Sequence, residues 1–292
     1  MDSSVSNYVS LNSSCVAKQG LATADNNRFL RIWFEVENNK IGYNYSNINM
    51  TDNGCHRWFP YNKGGESRKW YGNQDQVVDW ERNGFRIKHN FDERGKLRSR
   101  PQNTDYYFKP SISWSLLASS GMGFRIYPSG FIYDVNGMSL FPSVDVCSVL
   151  GFLNSSLTKH LLKIINPTMA CQIGDLLKVP CCIIELGHEK VQINISISKQ
   201  DWDTHETSWD FEENELIRMQ GHCEETGRNP HLMEDCYRCY QEEWTEKFNQ
   251  LHKNEEELNR QFIEIYGLED ELTPDVPLDE ITILQQGEIT IE

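Results

Sequence analysis

The chain has 292 residues and a formal net charge of -15 at pH 7, a size that allows one large domain or two modest ones and argues against a single small module. No apolar run approaches the roughly 18 residues that a membrane-spanning helix needs, which excludes a membrane span. Nine cysteines, an odd number, and the lack of an apolar signal sequence after Met1 disfavour secretion, so we expect a soluble cytoplasmic protein.

The charge is distributed unevenly along the chain. Residues 1–100 contain 15 Lys and Arg against 11 Asp and Glu, and residues 101–200 contain 7 against 6. Residues 201–292 contain 6 against 26, so this last third alone has a charge of -20. Because phosphate binding needs local positive potential and not a positive total, a mildly basic body joined to an acidic third is compatible with nucleic-acid binding. The acidity of the last third is also explained if that part is simply a solvated helical surface.

The first two-thirds of the sequence predict short strands. Residues 1–17 are rich in Ser and Asn and lack periodicity, which predicts a flexible start. Residues 29–36, 112–115 and 124–133 combine β-branched and aromatic side chains with flanking turn residues, as strands do. Gly121-Met122-Gly123 lacks the third glycine of a nucleotide-binding turn and is interpreted as a hairpin turn. A strand-rich α/β body is therefore expected.

Two later stretches have helical periodicity. Residues 143–166 repeat apolar side chains at helical spacing and predict a helix that ends before Pro167. Residues 234–266 have apolar positions three, four or seven apart, and Gly267 supplies a stop. A helix of roughly 30 residues is about 45 Å long, too long to be buried in one small domain, so it should pack along a neighbour. Residues 281–284 could form an edge strand.

Residues 57–72, with the sequence RWFPYNKGGESRKWYG, place basic side chains between aromatic ones and glycines and predict a loop. Arg and Lys can neutralise phosphates and contact guanine edges, while Trp and Tyr can stack on bases. This segment is therefore a candidate nucleic-acid reader. An ordinary basic loop over core aromatics would have the same composition.

Several blocks, in order, carry a resemblance to a known family. They are KQGLATADNNRFLR at 18–31, the segment at 57–72, NPT with QIGD and a following Pro at 166–180, and DWD, ETSWDF and NEEELN at 201–203, 206–211 and 254–259. Together they resemble the PglX-type adenine-specific DNA methyltransferases of phage-defence (BREX) systems. The blocks resemble the target-recognition region of that family and the helical part that follows it.

The residue patterns predict a mixed α/β (α+β) fold with three parts: a flexible start at 1–17, a strand-rich body at 18–197, which the resemblance identifies as a DNA target-recognition domain, and an acidic helical region at 198–292. We expect the DNA-binding residues to come from the blocks at 18–31 and 57–72; they are Lys18, Thr23, Asn26, Asn27, Arg28, Arg31, Arg57, Trp58, Lys63, Arg68, Lys69 and Trp70. The two asparagines could instead only shape a turn. A second basic run is interpreted as a flexible arm against the DNA backbone; it contains Lys88, Arg94, Lys96, Arg98 and Arg100.

The motifs of catalysis are missing from this sequence. An N6-adenine methyltransferase needs a Gly-rich turn for S-adenosylmethionine and an Asn/Asp-Pro-Pro-aromatic loop for the flipped adenine. The sequence contains no Pro-Pro pair, and Asn166-Pro167-Thr168 and Asn229-Pro230-His231 lack the second proline. We therefore expect no catalytic residues, no bound cofactor and no activity of the chain alone. The resemblance implies S-adenosylmethionine for the full-length enzyme, with a catalytic domain preceding Met1.

The expected partners are double-stranded DNA and a catalytic methyltransferase domain or other defence-system subunits. An alternative of a different class stays open, because the acidic third could dock a partner subunit or imitate DNA with carboxylates at phosphate-like spacing. The recognised DNA sequence does not follow from these residues.

One cysteine-rich cluster has the composition of a zinc site. His222, Cys223, Cys236 and Cys239 combine a Cys-x2-Cys pair with an upstream His-Cys pair. Adjacent side chains rarely both reach one ion, and the spacing of Cys236 and Cys239 is also common on a helix. No metal site is therefore predicted.

Overall fold

The structure is a computed structural model that describes residues 9–52, 54–117, 122–168, 170–182 and 186–283. Its strands are β1 (Val9–Ser10), β2 (Cys15–Lys18), β3 (Leu30–Ile32), β4 (Trp58–Asn62), β5 (Gln76–Asp79), β6 (Ser111–Ser115), β7 (Arg125–Tyr127), β8 (Ile132–Tyr133), β9 (Gly137–Pro142) and β10 (Pro180–Cys181). Its helices are α1 (Asn26–Phe29), α2 (Glu81–Lys88), α3 (Val146–Asn154), α4 (Ser156–Ile165), α5 (Ile173–Leu176), α6 (His188–Asp203), α7 (Glu215–Glu225) and α8 (Met233–Tyr266). This confirms the mixed α/β fold with a strand-rich body and a helical, acidic C-terminal part.

Two four-stranded sheets form the body. One has the order β2-β9-β6-β7 with antiparallel neighbours throughout, and the other has the order β3-β5-β4-β8. In the second sheet β4 is antiparallel to β5 and parallel to β8. The strands predicted at 112–115 and 124–133 are present as β6, β7 and β8. Residues 29–36 form a strand only in β3, and the 3-10 turn Trp33–Glu35 follows it.

Residues 58–62, predicted to begin a loop, form the central strand β4 of the second sheet. All five residues are buried, because their aromatic side chains pack on both faces of the sheet. Pro60 has no N–H to donate, yet the strand tolerates it because β8 pairs only with Tyr61 and Asn62. The prediction of a loop was therefore wrong for this part of 57–72.

Each sheet has its own apolar core. An aromatic cluster around the second sheet includes Phe29, Phe59, Tyr61, Trp80 and Phe108. The larger core lies between the first sheet and the helices α3, α4, α6 and α8. The two sheets are thus filled by different sets of side chains, and only the first is covered by the long helices.

The helix predicted at 143–166 is two helices. Ser155 between them has extended backbone angles, φ -74° and ψ 154°, and its hydroxyl accepts a hydrogen bond from Thr158 N at 3.3 Å. Ser155 is therefore the N-cap of α4, a position that favours serine. Asn259 of α8 fixes the same junction by accepting from Ser156 N at 2.9 Å.

The long amphipathic helix is confirmed as α8, with 34 residues and a length of about 51 Å. It ends at Gly267, whose φ of +62° is the left-handed conformation that glycine adopts without steric cost. The C-terminal half of α8 packs on α3, α4 and α6, and the N-terminal half packs on α7. Within the described ranges, every helix is too short or too polar to cross a lipid bilayer.

The division of the chain into three parts stays a prediction. Helix α6 runs through the expected boundary at residue 198, and Leu258 of α8 belongs to the same core as Ile112 of β6. Within the expected flexible start, Leu11 and Cys15 are buried, while residues 1–8 lie outside the described ranges. At the other end, Ile281 and Ile283 are buried without strand pairing, and residue 284 lies outside the described ranges.

Buried ion pairs join the body to the helical part. Lys69 donates to Glu255 Oε2 of α8 at 2.6 Å, and Trp70 Nε1 donates to Glu255 Oε1 at 2.7 Å. Arg68 is paired with Asp201 of α6. The charged residues of both pairs are buried, and a charge without its partner is costly in such surroundings.

We predict that Glu255→Gln lowers the free energy of unfolding by about 3–5 kcal/mol, because it leaves the Lys69 ammonium buried without a counter-charge. The glutamine amide keeps an oxygen that can accept from Trp70, so the lost stability measures the effect of removing the negative charge. Urea unfolding of the full chain measures it. The control is Glu234→Gln in the exposed pair with Arg238, which should cost less than about 0.5 kcal/mol. Equal losses in the two variants would contradict a stabilising role for the buried pair.

Candidate nucleic-acid interface

Three of the expected DNA-binding residues lie in the interior. Arg68, Lys69 and Trp70 are buried, and each is held by a carboxylate of the helical part, Asp201 or Glu255. The sequence shows the basic and aromatic character of this segment but not its acidic partners, which are 133 to 186 positions away. In this structure these side chains position α6 and α8 against the body and are not accessible to a ligand.

Three more of the expected residues are buried or neutralised. Trp58 is buried in β4, and Thr23 is buried with its hydroxyl donating to Asn26 Oδ1 at 2.5 Å. Lys63 donates to the buried carboxylate of Asp134 at 2.6 Å. The contact between Thr23 and Asn26 supports the alternative that Asn26 shapes the turn at α1.

The remaining expected residues reach the surface. Asn26, Asn27 and Arg28 are exposed on α1, which Asp25 caps by accepting from Arg28 N at 3.1 Å. Arg31 follows on β3 and is half-buried. Lys18 is half-buried in β2, and its ammonium lies 5.4 Å from the centre of the Tyr106 ring.

The second basic run lies directly beside α1. Ala22 and Arg100 exchange backbone hydrogen bonds of 3.0 and 2.8 Å, and Arg28 Nη1 donates to Asn90 Oδ1 at 3.2 Å. The block at 18–31 and the run at 88–100, which are separate in the sequence, therefore form one surface region.

The second basic run forms a hairpin in which Phe91 bridges to Leu97, in place of the expected flexible arm. The Asp92 carboxylate closes its turn by accepting from Arg94 N at 2.9 Å and from Lys96 N at 2.8 Å. Short side-chain-to-backbone hydrogen bonds of this kind favour a defined turn.

Arg57, just before β4, and Arg86 of α2 extend this region. Arg57 and Arg86 both pair with Asp79 Oδ2, at 2.9 and 2.6 Å, although each keeps about 40% of its side chain exposed. Arg31 and Arg57 lie over the Trp58 ring, 5.6 and 5.0 Å from its centre. The buried Asp79 carboxylate and the buried Trp58 ring thus lie below these partly exposed cations and hold them in place.

We call the following residues the basic cluster: Arg28, Arg31, Arg57, Arg82, Arg86, Lys88, Arg94, Lys96, Arg98 and Arg100. Residues 22–31, 57 and 79–100 contain these 10 basic side chains against 5 acidic ones, so the local charge is +5 in a chain whose total is -15. Lys88 lies over the Trp80 ring, and partial burial lowers its pKa from the ordinary value.

Exposed aromatic side chains lie among these cations. Phe85 and Phe91 are 56% and 51% exposed, and the His89 ring stacks on Phe85 with ring centres 4.1 Å apart. Rings between Arg and Lys side chains are what single strands and unstacked bases bind. Sequence reasoning missed Arg82, Phe85, Arg86 and Phe91, although residues 82–91 alternate basic and aromatic types as residues 57–72 do.

The backbone beneath Arg82 is strained. Arg82 and Asn83 have φ values of +49° and +56°, a left-handed conformation that non-glycine residues rarely adopt in succession, and Gly84 follows at +68°. A side chain at Gly84 would clash with the Trp80 ring at 2.7 Å. Lys88 donates to Asn83 Oδ1 at 2.9 Å across the turn. Such strain persists where surrounding contacts fix it, and it clusters at functional sites.

One group of possible metal ligands occurs among the described residues. Potential ligand atoms of Asp145, Cys147 and His188 lie within 4.8 Å of one another. The Asp145 carboxylate already caps α3 by accepting from Ser148 N and Oγ at 2.7 Å. Although burial opposes its ionisation, hydrogen bonds from Ser148 and His188 hold the pKa of Asp145 below the ordinary value. The arrangement is explained by helix capping.

We predict that amine acylation distinguishes the buried from the exposed lysines. Lys69 should react at least about tenfold more slowly than Lys96, because its ammonium must first leave Glu255 by a local opening. Peptide mass spectrometry after brief treatment with an acylating ester measures both rates in one sample. Comparable rates for Lys69 and Lys96 would show that residues 57–72 are exposed after all.

Comparisons with known proteins give relatives of one kind. The chain is 38% identical over 268 residues to the adenine-specific methyltransferase PglX of Lacticaseibacillus casei (strain Zhang), which is 89% of this chain and 22% of that protein. It is 33% identical over 199 residues to the adenine-specific methyltransferase BrxX of Escherichia coli O9:H4 (strain HS), which is 66% of this chain and 15% of that protein. No family model matches.

Among solved structures, that of the Type IIL restriction-modification enzyme MmeI in complex with DNA matches 86% of this chain and 32% of its own, with a TM-score of 0.42 and 9% identity, too low to support an inference. The chain spans about a fifth or less of the two curated relatives. Over most of its own length, it nevertheless belongs to the sequence family of the PglX-type adenine-specific methyltransferases and corresponds to a segment of them.

Proposed function

We propose that this chain is the DNA sequence-recognition segment of a site-specific N6-adenine DNA methyltransferase of a phage-defence system, and that catalysis belongs to a separate domain. Its relationship to PglX and BrxX supplies the class of enzyme. The observation that carries the recognition role is the basic cluster, a local excess of positive charge with exposed aromatic rings in an otherwise acidic chain.

The basic cluster offers two kinds of contact to DNA. The hairpin cations Arg94, Lys96 and Arg98 are exposed, and none of them forms an ion pair with Asp92 or Glu93 of the same turn, where Asp92 accepts from backbone N–H groups. Such cations are suited to contact phosphates, and phosphate contacts contribute affinity without sequence specificity. Asn27 and Arg28 on α1 are candidates for contacts with base edges, because an amide matches the donor and acceptor of adenine and a guanidinium matches the two acceptors of guanine.

The turn at Asn166 does not fit a flipped adenine. In the segment Asn166-Pro167-Thr168, the Asn166 amide donates to Ala170 O and Asp175 Oδ2, and its oxygen accepts from Thr168 N. The side chain that would hold an adenine amino group in a catalytic loop is thus occupied by its own turn. We derive no catalytic step from this chain.

A second candidate function, docking of a partner subunit, is favoured by the surface of α7 and α8. Ile217, Leu232, Met233 and Tyr237 are exposed apolar side chains on an acidic helical pair. A catalytic methyltransferase domain is the partner that we propose for this surface. Loss of association with such a domain in Met233→Asp, with DNA binding by the chain unchanged, would support docking through α7 and α8 in addition to recognition.

We predict that Arg94→Ala, Lys96→Ala and Arg98→Ala each weaken binding to duplex DNA by up to about tenfold at low salt, because each removes one cation from the phosphates. If the removed cation contacted a phosphate, the fall of log affinity with log salt should also become shallower by about 0.9. Titration of cognate and scrambled duplexes over a salt series measures both quantities. The matched control is Lys253→Ala on α8, an exposed lysine outside the basic cluster. If all three variants bind like the control, the basic cluster is not the DNA-binding surface.

We predict that the purified chain transfers no methyl group from S-adenosylmethionine to adenine in DNA, because neither the cofactor turn nor the adenine-holding loop is encoded. Mass spectrometry of digested DNA for N6-methyladenine measures this, with an active adenine methyltransferase as the positive control. Methylation by this chain alone would contradict the assignment of recognition without catalysis.

A further inference from the structure

Two cysteine sulfurs meet between the helices α7 and α8. The Sγ atoms of Cys223 and Cys239 are 3.1 Å apart, and both residues are buried and in the thiol form. Cys223 is in the last turns of α7, and Cys239 is two turns into α8. The pair therefore links the two helices at one point of their contact.

The surroundings of the two sulfurs differ. Arg228 Nη1 donates to Cys239 Sγ at 3.2 Å, and the same guanidinium pairs with both oxygens of Glu242 at 2.8 Å. Thr226 Oγ1 is 3.8 Å from the same sulfur. A cation held against a sulfur stabilises the thiolate, which is the reactive form of cysteine. No such cation contacts Cys223 among the described residues.

The acid–base behaviour of the pair follows this asymmetry. Although burial opposes ionisation of Cys239, hydrogen bonds from Cys223, Arg228 and Thr226 lower its pKa. Burial, together with hydrogen bonds to Cys239 and Cys236, raises the pKa of Cys223. Cys239 is thus suited to attack an oxidant, and Cys223 is suited to act second.

We propose that Cys239 and Cys223 are a peroxide-reactive dithiol that closes to a disulfide between α7 and α8. The two cysteines lie on α7 and α8, and the basic cluster contains no residue of either helix. Oxidation of the dithiol would change the helical part without altering a group that is proposed to contact DNA.

The chemistry balances with hydrogen peroxide as the oxidant. The Cys239 thiolate attacks one peroxide oxygen, the O–O bond breaks, and the departing hydroxide takes a proton to become water, which leaves a sulfenic acid on Cys239. Cys223 then loses its proton and attacks the Cys239 sulfur. The S–O bond breaks, and the second hydroxide takes that proton. Two thiols and one peroxide give one disulfide and two waters, and the two electrons move from the sulfurs to the peroxide oxygens.

Access to the buried sulfurs needs only a local opening. The core between α7 and α8 contains few side chains: Met219, Cys223, Cys236 and Cys239, with Tyr240 against them. A core of this size opens at low cost compared with the main core.

The cysteines of the main core are less suited to react with peroxide. Burial raises the pKa of Cys15, Cys147 and Cys171 well above the ordinary value, and among the described residues no cation offsets that effect.

The third cysteine of the group supplies a control. Cys236 lies one helical turn from Cys239, and its thiol donates to Pro230 O at 3.4 Å and also interacts with the Cys223 thiol, whereas the Cys223 and Cys239 sulfurs are 3.1 Å apart. Cys236→Ala should therefore leave the cross-link intact, while Cys223→Ala and Cys239→Ala should each abolish it.

The test treats the full folded chain with hydrogen peroxide at a small molar excess and then quenches and alkylates it. We expect a loss of two free thiols per chain and, in a non-reducing digest, a peptide pair joined through Cys223 and Cys239. Arg228→Met should slow formation of the cross-link several-fold at neutral pH, since it removes the cation at the attacking sulfur. Circular dichroism before oxidation confirms that each variant is folded.

Three outcomes would overturn the proposal. The first is a disulfide between Cys236 and Cys239, which would make the Cys-x2-Cys pair the reactive unit. The second is oxidation confined to the exposed Cys55. The third is one tightly bound zinc ion per chain that peroxide releases, measured by elemental analysis, because the sulfurs would then be metal ligands. If Cys236→Ala also loses the cross-link while folded, the assignment of the pair is likewise wrong.

Discussion

The docking of the acidic helical part on the strand-rich body depends on the carboxylate of Glu255. It accepts from Lys69 and Trp70, which follow one another in the chain, and the neighbouring Arg68 is paired with Asp201. Charges taken out of water are tolerated only when their counter-charges are in place, so neither partner has a stable environment without the other. The body and the acidic helices must therefore adopt their final packing together.

This constraint also explains where sequence reasoning succeeded and failed. The long helix α8 could be predicted because its periodicity and the glycine after it are local signals, and the same holds for β6 and β7. The burial of Arg68, Lys69 and Trp70 could not be predicted, because their partners lie 133 to 186 positions away and composition carries no information about pairing. The break at Ser155 was missed although its signal is local, since a serine three residues before a threonine also occurs inside helices.

The basic cluster is assembled from contacts within residues 22–100. The backbone pairing of Ala22 with Arg100 joins two blocks that each show their charge in the sequence, while Oδ2 of Asp79 holds both Arg57 and Arg86. The left-handed turn at Arg82 and Asn83 is held by the packing of Gly84 on Trp80, and Asp92 closes the hairpin turn before Arg94 and Lys96. A surface arranged in advance loses little conformational freedom when a ligand binds, which favours affinity.

The acidic third opposes phosphate binding at this surface, and it comes near it where Trp33 Nε1 donates to Thr207 O at 2.8 Å. Its 6 Lys and Arg neutralise only some of its 26 carboxylates, as in the pairs of Arg218 with Glu215 and Glu243 and of Arg228 with Glu242. The remaining charge acts through a screening length of about 8 Å at physiological ionic strength, so the local excess of +5 decides whether phosphates bind. At low salt the repulsion from the acidic helices extends further and offsets part of the attraction. Added salt weakens both effects, and the observed salt dependence of DNA affinity should therefore be shallower than the number of phosphate contacts alone would give.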